Sequence, residues 1–146
     1  MPNLSGKCLC GNISFTANTD IQNSYNCHCN DCRAASGAAY QTLLFIERSA
    51  LEISGTPKVF THAADSGSVM EKHFCPDCGS QMFGHNRSRP DRISIRAGVL
   101  DQSELVKPAA NLYLSSKHCQ TNMNGPAKDA GSRRSGRELP PLGQGG

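Results

Sequence analysis

The chain has 146 residues, enough for one domain of ordinary size, yet it contains no Trp, 5% aromatic residues and 37% hydrophobic ones. So thin an apolar complement suits a core supplemented by metal crosslinks. No apolar run nears the ~20 residues that span a bilayer, and the first residues lack the apolar stretch of a signal peptide. The expected compartment is therefore the cytoplasm, where thiols stay reduced. The net charge is only +3, and Lys128, Arg133, Arg134 and Arg137 against Asp129 and Glu138 put most of it near the C-terminus. That argues against nucleic acid as a partner and leaves no membrane role.

Short alternating segments then follow one another. Ile13, Phe15 and Ala17 alternate with Ser14 and Thr16 and predict a strand. Asn30–Ala35 opens on the capping residues Asn30 and Asp31 and predicts one or two helical turns. Ala39–Ile46 predicts a more buried strand. Leu51–Ile53, Lys58–Thr61, Val69–Phe74, Gln81–Gly84 and Arg92–Ala97 predict further strands, the last with Ile93 and Ile95 in period-2 alternation. Ser103–Val106 predicts a second short helix. The expectation is a mainly β single domain of short antiparallel strands over residues 1–121, with one or two short helices. From residue 122 Gly, Pro, Ser, Arg and Lys dominate, which predicts a flexible tail over 122–146.

Seven of the eight cysteines fall into three clusters: Cys8/Cys10, Cys27/Cys29/Cys32 and Cys75/Cys78; Cys119 stands apart and reads as a free thiol. Clustered thiols in a reducing compartment point to metal ligation rather than disulfides. Cys8 and Cys10, spaced i, i+2, share one face of an extended strand. Cys75-Pro76-Asp77-Cys78-Gly79 has the form of a zinc knuckle, with Gly79 free to take left-handed backbone. Two such pairs close one tetrahedral site, which would be structural. Cys27, Cys29 and Cys32 remain as a tripod with one coordination position open, the arrangement of a catalytic zinc. Candidates for that position are water, a substrate thiol, His28, His73 or His118. A second division joins Cys29/Cys32 with Cys75/Cys78 in a ribbon and strands the other three; spacing favours the four-plus-three division. Amides at Ala34, Ser36 and Gly37, and the charge of Arg33, are candidates to stabilise the tripod sulfurs. His62 and His85 read as solvated loop residues.

Taken in order, Lys7–Phe15, Cys27–Arg33, Ser36-Gly37, Gly55–Phe60, His73–Ser80 and Ala97–Asp101 resemble the glutathione-dependent formaldehyde-activating enzyme family, which includes centromere protein V. The resemblance covers Gly6 to Lys117. It implies a zinc-stapled β-tent fold with two Zn²⁺ per chain. Cys8, Cys10, Cys75 and Cys78 match the family's structural zinc ligands, and Cys27, Cys29 and Cys32 its catalytic zinc ligands. The implied activity is that of a carbon–sulfur lyase resembling S-(hydroxymethyl)glutathione synthase, which adds glutathione or a related thiol to formaldehyde or a similar aldehyde. The alternative that the family also suggests is a non-catalytic zinc module that binds nucleic acid or protein. One departure stands out: Asn111 follows Pro108 where family members carry a His.

Overall fold

A computed structural model describes residues 3–121; the predicted tail over 122–146 lies outside them. The described residues form ten strands, one α-helix and four short 3-10 turns, a mainly β architecture as the alternating pattern predicts. The strands are β1 (Leu4–Lys7), β2 (Ser14–Ala17), β3 (Asn23–Cys27), β4 (Gln41–Glu47), β5 (Leu51–Ser54), β6 (Lys58–Ala63), β7 (Val69–Phe74), β8 (Gln81–Asn86), β9 (Arg92–Arg96) and β10 (Ala110–Leu112). Helix α1 (Asn30–Ser36) follows β3, and Ser103–Leu105 closes only a 3-10 turn.

Two sheets result. β1, β2 and β5 form a small sheet in the order β1-β2-β5; the others form a seven-stranded sheet in the order β10-β3-β4-β9-β8-β7-β6. Pairing is antiparallel throughout except at one edge, where β10 lies parallel to β3. That edge corrects the expectation of antiparallel strands alone. β1, β3 and β10 were not legible. β1 has only four residues and contains Gly6, whose missing side chain leaves space taken by the Val99 carbonyl and the Phe15 ring. β10 has three residues and is recruited by β3 rather than by its own pattern.

The middle of the seven-stranded sheet is covered on both faces, and this places the site. On one face Leu44 and Ile46 of β4, Ile93 and Ile95 of β9, and Met82 and Phe83 of β8 pack with Leu4, Phe15 and Ala17 of the small sheet. Phe15 and Phe83 meet edge to face at 5.4 Å. Fully burying side chains of this size stabilises by about 1.5–3 kcal/mol each. On the other face Leu43 and Phe45 of β4 pack with Cys27, Cys29 and Cys32 in a second, smaller core. Register carries that face across the sheet: Arg96 opposes Leu43, Ser94 opposes Phe45 and Gly84, and Lys72 opposes Gly84.

Candidate metal centres

The first centre joins two turns that are far apart in sequence. Cys8 and Cys10 sit in the turn between β1 and β2, where Gly11 (φ +82°) reverses the chain, and not on a strand as the i, i+2 spacing suggests. Cys75 and Cys78 sit in the turn between β7 and β8. There Gly79 takes φ +76° and its N–H donates to the Cys75 carbonyl at 2.9 Å, the left-handed turn expected of a knuckle. Two bonds stitch the turns together. Leu9 N–H donates to Ser80 Oγ at 3.0 Å, and Asn12 Nδ2 donates to Asp77 Oδ2 at 2.8 Å. All four sulfurs lie within 4.8 Å of one another. Cys10 Sγ is 3.6 Å from Cys8 Sγ and 3.7 Å from Cys75 Sγ. A tetrahedral zinc with bonds of about 2.3 Å needs sulfur–sulfur edges of about 3.8 Å, so the donor set fits that ion. The Ser80 hydroxyl, its amide and the amide of Cys10 lower the Cys78 thiol to about 5, favouring the thiolate a metal requires.

The second centre is local. β3 delivers Cys27, and the chain turns at once into α1, so Cys29 is the helix N-cap. Its sulfur accepts the N–H of Cys32 at 3.3 Å. The sulfurs of Cys27, Cys29 and Cys32 lie within 4.8 Å of one another, and among the described residues no histidine or carboxylate joins them. The structure thus brings together four sulfurs and three, and keeps Cys29/Cys32 apart from Cys75/Cys78. A hydrogen bond from Cys32, with the Cys29 amide and thiol and the charge of Arg96, lowers the Cys27 thiol to about 6 against the effect of burial. Giving that hydrogen bond, together with burial, pushes Cys32 up. Cys27 is therefore the first of that pair to ionise.

Several expectations are corrected here. Arg33 turns away: its Nη1 donates to the Ser116 carbonyl at 2.9 Å. The Gly37 N–H caps the Arg33 carbonyl and serves the helix, not the sulfurs. His28 is fully buried behind the tripod, its Nε2 3.3 Å from Asn111 Oδ1 and its ring against Tyr40. His73 hydrogen-bonds Glu71 at 2.9 Å, and His118 is exposed. His85 is no loop residue; it is buried on β8, and His62 lies on β6. Cys119 is a free, exposed thiol.

The cations beside the tripod come from β7 and β9. Lys72 is 7% exposed and Arg96 6% exposed. Burial draws both below their ordinary values, while the tripod thiols draw them back up; a guanidinium nonetheless stays charged. Arg96 Nη1 donates to Ser94 Oγ at 2.9 Å, and Ser94 Oγ donates to the Gly84 carbonyl at 3.1 Å. The alternation of β9 held the signal: Arg92, Ser94 and Arg96 share one strand face. Period 2 assigns that face to solvent only if nothing covers it, and here α1 and the tripod do.

A mainly β protein with one closed four-thiol centre and one open three-thiol centre is the class that fold and geometry define. The profile of the family described as "glutathione-dependent formaldehyde-activating enzyme" matches residues 3–116, and the chain belongs to that family. A relative from Halomonas elongata, named by inference for the same activity, is 27% identical over 76% of this chain and 73% of its own. Two fungal relatives named in the same way, from Aspergillus terreus and Phaeosphaeria nodorum, are 26% and 23% identical. The chain spans only 42% and 40% of their lengths. A crystal structure of a Rhodobacter sphaeroides protein shares the fold, with a TM-score of 0.54 and 20% identity over 73% of this chain and 98% of that one.

Proposed function

We propose that this protein is a zinc-dependent carbon–sulfur lyase that adds glutathione or a related thiol to formaldehyde or a similar aldehyde. The observation that carries the reading is the three-sulfur group Cys27/Cys29/Cys32, complete in thiols yet one donor short of a closed tetrahedral site. Cys8, Cys10, Cys75 and Cys78 would hold a structural zinc and the tripod a catalytic one, two per chain. Zinc bound at the tripod supplies a Lewis-acidic centre with a position for a thiolate or a carbonyl oxygen.

The chain's own residues supply the rest. Cys27 loses its proton most readily within its pair, which readies the tripod for a metal near neutral pH. Lys72 and Arg96 offset the negative charge that three thiolates concentrate. Leu43 and Phe45 keep water off one side of the sulfurs. A cleft of about 700 Å³ lined by Asp31, Phe60, His62, Lys72 and Gln81 opens to solvent beside Lys72. In the reaction the thiol sulfur forms a bond to the carbonyl carbon. The C=O π pair moves to oxygen, which takes up the proton that the thiol released. The product is a hydroxyalkyl thioether, and the reverse breaks the carbon–sulfur bond. The reading places all of this chemistry in residues 1–121, in a reducing compartment such as the cytoplasm.

The test combines metal counting with exchange NMR of thiol and formaldehyde. Two zinc ions per chain and adduct exchange faster than the protein-free rate are expected. Exchange at the protein-free rate with glutathione and with small thiols alike would overturn the reading.

A further inference from the structure

The covered face of the large sheet holds a cavity of about 170 Å³ whose wall includes Cys32 of the tripod. Its floor is Gly84 and Ser94. Around it stand Lys72, Arg89, Arg92 and Arg96, and no Asp or Glu lines it. None of these four cations makes an ion pair among the described residues; even Glu47, opposite Arg92 in register, does not reach it. The Nε atoms of Arg92 and Arg96 are buried with no hydrogen-bond partner. Buried donors without acceptors are costly, on the order of 1–3 kcal/mol each, unless something supplies the acceptor.

Neutralising the tripod does not account for this set. Three thiolates with one divalent ion carry a formal charge of −1, which one of the four cations offsets. The remaining cations, with Arg89 at the exposed rim, then face a pocket that no acid lines. The two arginines are also built in. Arg92 lies over the Phe45 ring at 5.3 Å. Arg96 occupies the space where a side chain on residue 84 would stand.

We propose that this pocket is a carboxylate subsite, which holds the acid group of a small thiol or small aldehyde while its reactive end lies at the Cys27/Cys29/Cys32 tripod. The inference rests on the function proposed above and narrows its substrate class. Planar guanidinium groups match a carboxylate bidentately. The volume equals about five or six waters at roughly 30 Å³ each, which suits an acid of a few carbons. A tripeptide thiol could place only one of its carboxylates there. The shared chemistry is an anionic carboxylate a few bonds from sulfur or from a carbonyl carbon.

The test is calorimetric binding to the zinc-loaded full chain, which reads affinity independently of turnover. Mercaptoacetate is compared with 2-mercaptoethanol, glyoxylate with acetaldehyde, and acetate serves as the probe with no reactive end. Mercaptoacetate or glyoxylate should bind at least about tenfold more tightly than its uncharged counterpart, the scale of one charge-assisted bond. Whichever pair shows the gap tells whether the acid sits on the thiol or on the aldehyde. Arg92→Gln should close most of that gap with zinc content unchanged, and Arg89→Gln, at an exposed position, repeats the test where folding is not at stake. Equal affinities within both pairs would overturn the subsite. Acetate binding that depends on Arg92, in a protein that binds no thiol and no aldehyde, would keep the pocket as an anion site. It would overturn its coupling to the tripod, and with it the addition chemistry.

Discussion

Gly84 and Arg96 share one space: a Cβ on Gly84 would lie 2.9 Å from both terminal guanidinium nitrogens of Arg96, and 2.8 Å from Ser94 Oγ. The absence of a side chain on β8 is thus what lets a buried cation lie flat against the sheet beside the tripod. Gly84→Ala forces either the guanidinium or the backbone to move. It should destabilise by about 1–3 kcal/mol in urea unfolding, and weaken acetate binding as Arg92→Gln does. An unchanged midpoint with unchanged acetate affinity would show that Arg96 is not held as described.

The two centres should answer differently to losing one sulfur. Cys29→Ser keeps an N-cap oxygen for α1, since Ser caps helices well, while removing a soft donor. The fold should survive, zinc should fall from two towards one per chain, and turnover should be lost. Cys75→Ser opens the centre that ties the β1–β2 turn to the β7–β8 turn across 65 residues. Metal-dependent small domains lose much of their folding free energy with the ion, so this variant should lose its cooperative transition. Far-UV circular dichroism and metal analysis of both variants decide it; two zinc ions in Cys29→Ser would refute the tripod as a metal site.

Glu71 predicts an acid-sensitive share of stability. Arg87, then the histidines His73 and His85, hold its carboxyl at about 2, down from an ordinary 4.5. A depressed folded-state value means the contribution is complete above about 4.5 and lost as pH falls from there through about 2. Glu71→Gln should therefore be less stable than the parent at pH 6, with the difference shrinking steadily below pH 4.5. The readout is the difference between the two urea midpoints across that range, because acid-driven metal loss affects both proteins alike. A difference that does not vary with pH would rule out this role for the ion pairs.

Asn111 ends a polar chain that runs from the surface to the buried ring of His28. Its Oδ1 lies 3.3 Å from His28 Nε2 and accepts from Asn26 Nδ2 at 3.2 Å, and Asn26 Oδ1 accepts from Thr42 Oγ1 at 2.7 Å. His28 Nδ1 already lacks a partner. Asn111→Ala strips the imidazole of its remaining side-chain bond and should cost about 1–2 kcal/mol. The β10 edge should loosen with it, because the His28 N–H donates to the Leu112 carbonyl at 2.9 Å. Hydrogen exchange at His28 and stability equal to the parent's would contradict this account.

What could be read from the residues in order was local. Apolar patterning marked seven of the ten strands, most clearly β2 and β9, because a half-buried strand writes its faces into every second position. Asn30 and Asp31 marked α1, although the sulfur of Cys29 does the capping. Cysteine spacing marked three groups of thiols, because ligands that share an ion from one segment must lie within a few residues. Spacing favoured the four-plus-three division but left the ribbon open; tertiary structure decided between them, since Cys10 and Cys75 meet only through the pairing of turns from different sheets. It also decided that the polar face of β9 is interior. No local pattern tells a strand whether its second face will be covered; that depends on α1 and its cysteines folding back onto β4, the neighbour of β9. The consequence is that Arg92, Ser94 and Arg96, which period 2 gives to solvent, become the cationic wall beside the tripod.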